Sequence, residues 1–213
     1  MPAFLRIFRF VALAAVGLTP LIGTAPAFAD FENADQHVQE IFAISYKDIC
    51  TSLEPGDMLD PTPEKWDFTF SYDYEPDVKR PFRLYRFHCF NGAYNAIHVF
   101  YGADQYEEVH QIFFAEPSFD LKYENDDFDS PNYKATVNGF TAYDQLVNSE
   151  VDPDTQTIYE YSKWRGMGDA SSEGAWTLDG GRFVLQYYDI DASYDGEHTL
   201  RRIYGDGKPR QLQ

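Results

Sequence analysis

Aromatic and polar side chains alternate strictly from Trp66 to Tyr74, which is the most regular pattern in the chain. A period of two residues is typical of a β-strand with one buried face. We interpret the aromatic stripe as core packing, with a sugar-binding platform as the alternative. Shorter stretches of the same kind predict further strands at residues 82–89, 93–101, 109–115, 134–140, 157–164 and 198–204.

The strongest turn signal is Asp179-Gly180-Gly181, which separates residues 175–178 from residues 182–188. Glycine supplies the positive φ angles that tight hairpin turns require. The sequence therefore predicts a β-hairpin at this point. Proline, glycine and acidic residues predict connections at residues 54–65, 75–81, 123–133 and 151–154.

One helix is predicted, over residues 34–49. Val38, Ile41 and Phe42 recur at helical spacing, and Asn33 is positioned to cap the first turn. No alternation of strands with long amphipathic helices follows, which disfavours a doubly wound nucleotide-binding fold. We therefore predict a mainly β fold: an antiparallel sheet, sandwich or barrel-like assembly with one N-terminal helix.

The N-terminus has the features of a secretory signal peptide. Arg6 and Arg9 precede an apolar run at residues 10–22, and Ala27-Phe28-Ala29 has the small-residue pattern of a cleavage site. We predict a signal peptide at residues 1–29 and export to the periplasm. Residues 30–213 are then expected to form a single β-rich domain without a membrane span.

Two short motifs recur in the same order within that domain. Residues 92–94 (Gly-Ala-Tyr) are echoed by residues 174–176 (Gly-Ala-Trp), and the acidic pentad 116–120 is echoed by residues 191–195. A duplicated sheet unit would produce this order. Chance reuse of glycine and aromatic residues near turns is the alternative.

The chain is strongly acidic, with 35 Asp and Glu residues against 17 Lys and Arg residues and a net charge of −18. Loss of residues 1–29 would remove two of the basic residues and none of the acidic ones, so the charge would become −20. This balance argues against nucleic acid and anionic membranes as partners. It suits a basic protein, a cationic surface or metal ions, while solubility alone is the simpler explanation.

Cys50 and Cys89 are the only cysteines in the chain. In an oxidising compartment such a pair most simply forms one disulfide. The close spacing of a Cys-x-x-Cys redox motif is absent.

A candidate calcium site follows the predicted hairpin. Its oxygen ligands would come from Asp189, Asp191, Ser193, Asp195 and Glu197. An EF-hand loop that started at Asp191 would need a carboxylate at its twelfth position, where the chain has Arg202 instead. The remaining alternatives for this segment are a looser calcium site and a plain solvated turn.

Other candidate chemistry is weaker. Residues 170–174, with Ser172 as the candidate nucleophile, are one residue short of a Gly-x-Ser-x-Gly elbow and lead into a hairpin, not a helix. His88, His98 and His110 lie on neighbouring predicted strands, and a turn near residue 104 would set His98 opposite His110. No pair of carboxylates stands out for glycosidase chemistry. We assign no catalytic residue.

Two segments resemble a known family. Residues 89–95 (Cys-Phe-Asn-Gly-Ala-Tyr-Asn) and residues 165–176, together with 179–185, are similar to exported bacterial proteins grouped as domain of unknown function 1176. The resemblance implies a periplasmic protein of a Gram-negative bacterium and assigns no activity.

The leading hypothesis is a periplasmic, non-enzymatic binding module for a basic partner, with inhibitors of cationic lysozymes as one model because opposite charge steers association. A calcium-stabilised cell-envelope protein, built on the acidic residues 116–120 and 189–197, is one alternative. A hydrolase directed at the cell wall is the other. No cofactor is predicted apart from calcium in the first alternative.

Overall fold

The computed structural model describes residues 31–207. The predicted signal peptide lies outside these residues. One α-helix and twelve strands follow in order: α1 (Glu32–Tyr46), β1 (Glu64–Tyr72), β2 (Glu75–Asn91), β3 (Ala96–Ala103), β4 (Val109–Gln111), β5 (Phe114–Tyr123), β6 (Tyr133–Tyr143), β7 (Gln145–Val147), β8 (Glu150–Asp152), β9 (Thr157–Lys163), β10 (Ser171–Asp179), β11 (Arg182–Asp191) and β12 (Arg201–Gly205).

The strands form three sheets in which every pairing is antiparallel. The first sheet has the order β1-β2-β3-β4, with β7 also paired to β3, and the second has the order β12-β11-β10-β9-β8. The third is the β5–β6 hairpin. The prediction of a mainly β fold with one N-terminal helix is confirmed, and within residues 31–207 none of the sheets closes into a barrel.

Helix α1 covers one face of the first sheet. Its buried positions are Ala34, Val38, Phe42 and Tyr46, a spacing of four residues that aligns them along one helical stripe. The ring of Phe42 stacks on Phe87 of β2 with centroids 4.0 Å apart. This layer forms a core of its own, separate from the core on the opposite face of the sheet.

The helix differs from its prediction at both ends. It begins at Glu32, and Asn33 does not cap it. The carboxylate of Glu107, in the loop after β3, caps the helix instead by accepting a hydrogen bond from the backbone N–H of Ala34 at 3.1 Å. The last turn ends at Tyr46 and leaves Ile49 exposed. A cap supplied by a distant segment leaves no signal in the local sequence.

The predicted disulfide is confirmed between Cys50 and Cys89, with their Cα atoms 4.4 Å apart. It joins the segment that follows α1 to the end of β2, and both cysteines are buried. The bridge therefore fixes the helix on the first sheet.

The opposite face of the first sheet packs against the second sheet and the β5–β6 hairpin. The alternation along β1 places Phe68 and Phe70 in this second core, with Trp66 and Tyr72 packed partly against it. Core packing is therefore the correct interpretation of these four rings, whereas Tyr74, at the end of the stripe, is exposed. Trp176 of β10 is completely buried at the centre of the same core.

The prediction of a connection at residues 75–81 is wrong. The chain turns at residues 73–74, and residues 75–81 form the first part of β2. Pro81 pairs with Thr69 of β1, while β3 pairs with β2 only from Arg83 onward. The ring nitrogen of Pro81 can therefore face an unpaired edge, which is where a strand tolerates proline.

The prediction of one strand at residues 109–115 is also wrong, because β4 ends at Gln111 and β5 begins at Phe114. The acidic pentad 116–120 lies inside β5, whereas its echo at 191–195 lies at the end of β11 and in the following loop. Residues 92–94 lie in the connection after β2, whereas residues 174–176 lie inside β10. The echoed segments therefore occupy non-equivalent elements, which gives a duplication no support.

The β10–β11 hairpin is confirmed. Gly180 and Gly181 have φ angles of +53° and +81°, as its turn requires. No helix within residues 31–207 combines the length and apolar character needed to cross a bilayer.

Candidate functional site

A cleft of about 570 Å³ opens where β5, β7 and the inner face of the second sheet meet. We call it the glutamate cleft because it contains Glu116 of β5 and Glu160 of β9. It is lined by Ile97, Glu116, Pro117, Ser118, Phe119, Tyr143, Gln145, Val147, Glu160, Ser162, Trp164, Ser172 and Tyr188. No lysine or arginine is among these residues.

Glu160 is the most unusual residue of the cleft, because it is an acidic residue whose side chain is buried. It is only 4% exposed and lies on the same side of β9 as the core residue Ile158. Its Oε1 accepts a hydrogen bond from the backbone N–H of Val147 at 2.9 Å. The other oxygen, Oε2, is buried and has no hydrogen-bond partner among residues 31–207. A buried polar atom without a partner costs free energy and is rare in native proteins.

Glu116 faces the same space from the third sheet. It is half-buried, and the hydroxyl of Tyr188 donates a hydrogen bond to its Oε2 at 3.4 Å. Burial raises the pKa of Glu116 to about 7, although the bond from Tyr188 opposes this rise. The same burial, together with the two nearby glutamates, raises the pKa of Tyr188.

The two glutamates interact electrostatically. Burial raises the pKa of Glu160 well above its usual 4.5, and repulsion from Glu116 raises it further. Because the groups are coupled, they release their protons as a pair and not independently. The cleft thus holds two carboxyl groups with raised pKa values and no lysine or arginine among its lining residues, an arrangement that is common at functional sites.

This pair makes a testable contribution to stability. A carboxyl group with a raised pKa in the folded protein binds a proton more tightly there than in the unfolded chain, so stability falls as pH rises from about 4.5 through the folded-state pKa, about 7 for Glu116. Between pH 5 and pH 8 the free energy of unfolding should fall more in the unsubstituted protein than in the E160Q variant. We expect the two decreases to differ by at least about 1.4 kcal/mol, the equivalent of one pKa unit.

Urea unfolding at the two pH values measures this difference. The control is E40Q, which removes an exposed carboxylate on α1 and should retain the pH dependence of the unsubstituted protein. The same loss of stability in E160Q and in the unsubstituted protein would show that Glu160 is ionised at little cost, contrary to the proposed electrostatics.

Ser172, the candidate nucleophile, does lie in the glutamate cleft. Its Oγ accepts a hydrogen bond from Nε1 of Trp164 at 3.3 Å and contacts the hydroxyl of Tyr188. No histidine lines the cleft, so Ser172 lacks the imidazole base of a Ser–His hydrolase. A hydrolase directed at the cell wall stays a prediction, and release of reducing ends from peptidoglycan, lost in S172A or in a single-carboxylate variant such as E116Q, would test it.

A second cavity, of about 460 Å³, lies by the second sheet and also touches Glu160. Tyr159 and Tyr161 of β9 line it, and the ring of His198 meets Tyr161 edge-on with centroids 5.8 Å apart. Glu173 lines it too and accepts a hydrogen bond from Tyr187 at 2.7 Å. Glu160, with its buried Oε2 that has no partner, lines both cavities, whereas Glu116 lines only the glutamate cleft.

Four of the five predicted calcium ligands use their side chains in bonds within the protein, and the fifth, Glu197, is exposed. Asp189 forms an ion pair with Arg202, and Asp191 accepts bonds from the backbone N–H and hydroxyl of Ser193 at 3.0 and 2.7 Å. Asp195 accepts a bond from the backbone N–H of Glu197 at 2.9 Å. Within residues 31–207 no group of three or more acidic, His or Cys side chains could hold a metal ion. Calcium stays a prediction without geometric support, and a calcium-dependent rise in melting temperature would test it.

The predicted register of the histidines is wrong. His110 pairs with Gly102, whereas His98 pairs with His88, and the two rings lie 5.1 Å apart. His98 is buried, and its Nδ1 lies 2.8 Å from the hydroxyl of Ser149. Burial, aided by nearby cationic groups, lowers the pKa of His98 to about 3, so its imidazole is neutral at physiological pH.

Residues 165–169, part of the segment that resembles the known family, have a structural role. Arg165 forms an ion pair with the buried Asp169, and Asp169 also accepts a bond from the backbone N–H of Gly196 at 3.0 Å. The bond from Arg165 lowers the pKa of Asp169. The interaction ties the β9–β10 loop to the loop after β11, so this segment positions Trp164 and Ser172 at the cleft.

Sequence reasoning missed Glu160, and it included Glu116 only among the acidic residues 116–120 of the calcium alternative. The available signal was the alternation in β9, where Glu160 shares a face with Ile158 and Trp164. An acid on the apolar face of a strand indicates either a satisfied buried carboxylate or a site. Glu116 gave no such signal, because the predicted strand ended at residue 115.

Comparison with known proteins identifies one family. A family model described as "Protein of unknown function (DUF1176)" matches residues 68–199, more than half of the chain. The matched segment contains both glutamates of the cleft but not Cys50 or α1. No curated protein and no solved structure matched the chain.

Proposed function

This chain belongs to the DUF1176 family of proteins of unknown function, and on that premise we propose that it is a periplasmic, non-enzymatic binding module whose glutamate cleft receives a cationic group from a basic partner. The observation that carries the proposal is the pairing of Glu160 with Glu116 in a cleft that no lysine or arginine lines, together with the buried Oε2 of Glu160, which has no partner within residues 31–207.

A bound ammonium or guanidinium group would remove the electrostatic cost of the cleft. It would donate hydrogen bonds to the unpaired oxygen of Glu160 and lower the pKa of both carboxyl groups. The rings of Phe119, Tyr143 and Trp164 line the same space, and aromatic faces attract cations. An anionic group would instead meet two acids and no basic residue.

Two further features of the protein support a basic partner and a periplasmic location. The net charge of −18 would steer a basic protein toward this surface. The buried Cys50–Cys89 disulfide is of the kind that persists in oxidising compartments such as the periplasm.

A basic protein of the c-type lysozyme class provides the first test. At low salt we expect a complex that weakens as ionic strength rises, and we expect the E116Q/E160Q double variant to bind at least about tenfold more weakly, a loss of about 1.4 kcal/mol. Surface-immobilised binding measurements over a salt series would quantify both effects.

The control is E40Q/E108Q, which removes the same number of carboxylates from exposed positions outside the cleft. It should bind almost as tightly as the unsubstituted protein. Equal weakening in both double variants would mean that overall charge, and not the cleft, attracts the partner. Absence of any complex would exclude this class of partner.

A further inference from the structure

The glutamate cleft combines groups that a simple cation does not need. Ser118, Ser162 and Ser172 present hydroxyls to the same space, and Gln145 adds an amide. Ser118 already shares a hydrogen bond with Thr141 at 2.8 Å, and Ser172 bonds to Trp164 and Tyr188. A lysine side chain, with an aliphatic stem and one ammonium group, would leave the hydroxyl of Ser162 and the amide of Gln145 without a ligand partner. A ligand that satisfied both would carry hydroxyls beside its cationic group.

Aromatic rings define the rest of the wall. The rings of Phe119 and Trp164 lie 18° from parallel with centroids 6.3 Å apart, and Tyr143 is 47% exposed. Such rings offer apolar faces to a ligand that is itself apolar on one side and polar at its edge. A pyranose ring has this character, because its axial C–H groups form an apolar face while its hydroxyls project from the rim.

Size is consistent with an oligosaccharide. The volume of about 570 Å³ exceeds that of a single ammonium group many times. It lies within the range of about 300–1,000 Å³ that is common for sites of small organic ligands. A carboxyl pair, several hydroxyls and aromatic walls thus occur together in a cleft large enough for more than one sugar ring.

We infer that the glutamate cleft binds an amino sugar: a hydroxylated six-membered ring with a free ammonium group directed at Glu160 and its hydroxyls directed at Ser162 and Gln145. This inference rests on the proposed function, because it requires a cation in the cleft. It adds the chemical class of the ligand. An N-acetylated sugar lacks the cation, and a lysine peptide lacks the hydroxyls.

Calorimetric titration at pH 7 with three probes tests the inference. The probes are a trimer of glucosamine, the corresponding trimer of N-acetylglucosamine and tri-lysine. We expect the glucosamine trimer to bind at least tenfold more tightly than either of the others. The E160Q variant should lose tenfold or more in affinity for it, and the exposed-site control E40Q should not. S162A should weaken binding of the glucosamine trimer and leave tri-lysine unaffected.

The outcomes distinguish a failure of the amino-sugar inference alone from a failure of the proposed function as well. If tri-lysine binds as tightly as the glucosamine trimer, and E160Q weakens both, the amino-sugar inference is wrong and the cationic site stands. If the N-acetylated trimer binds as tightly as the free amine, charge recognition fails and both proposals are wrong. If no probe binds, both are likewise wrong.

Discussion

Replacing Cys50 and Cys89 together by alanine should lower the free energy of unfolding by about 4 kcal/mol on the chain-entropy model. The bridge closes a loop with a sequence separation of 39 residues, and its removal restores that freedom to the unfolded chain. Both side chains are also buried in the core between α1 and the first sheet, so their loss leaves space behind. Urea unfolding of oxidised protein and variant measures the difference.

Removal of the disulfide should destabilise α1 more than the second sheet. Because α1 is held on the sheet by the bridge and by contacts such as Phe42 on Phe87, hydrogen exchange in α1 should increase more than in β10 and β11. A loss of stability below about 1 kcal/mol would mean that apolar contacts alone keep α1 on the sheet. That result would contradict the chain-entropy model.

The second large effect is expected at Trp176. Replacing Trp176 by alanine should cost about 3–5 kcal/mol, the range measured for large aromatic truncations in cores. Its side chain is fully buried, and it meets Phe114 edge-on with ring centroids 5.4 Å apart. Its Nε1 donates a hydrogen bond to the carbonyl of Ala115 at 3.0 Å, which joins the second sheet to β5. Chemical denaturation checks the loss.

The W176F variant separates packing from hydrogen bonding. It retains an aromatic ring and loses the bond to Ala115, so it should cost markedly less than W176A. A cost for W176F equal to that of W176A would show that the hydrogen bond, not the ring volume, dominates. A cost below about 1 kcal/mol for W176A would be inconsistent with a fully packed core.

Local sequence patterns predicted those elements of the fold that a few neighbouring residues determine. The alternation from Trp66 to Tyr74 and the turn at Gly180-Gly181 specify their strands directly, because pleat geometry and positive φ angles are properties of a few neighbouring residues. The disulfide followed from cysteine count alone. Elements fixed by distant contacts were missed, as in the capping of α1 by Glu107.

The site was the least predictable feature for the same reason. Glu116 and Glu160 are 44 positions apart in numbering and lie in different sheets, so only the packing of the third sheet on the second brings them into one cleft. Among the candidates favoured by sequence spacing, Asp191 and Asp195 instead bond to neighbouring backbone and Asp189 to Arg202. Spacing identifies sites that form within one loop, whereas this cleft forms between sheets.

The central claim is that Glu116 and Glu160, whose pKa values are raised in the folded protein, together bind a cation. Calorimetric titration with tri-lysine at pH 7, repeated in two buffers of different ionisation enthalpy, tests it most directly. Binding should release protons to the buffer, because an ammonium group lowers the pKa of both carboxyl groups, and E160Q should bind at least about tenfold more weakly with less release. Binding without proton release, or equal binding by E160Q, would contradict the account.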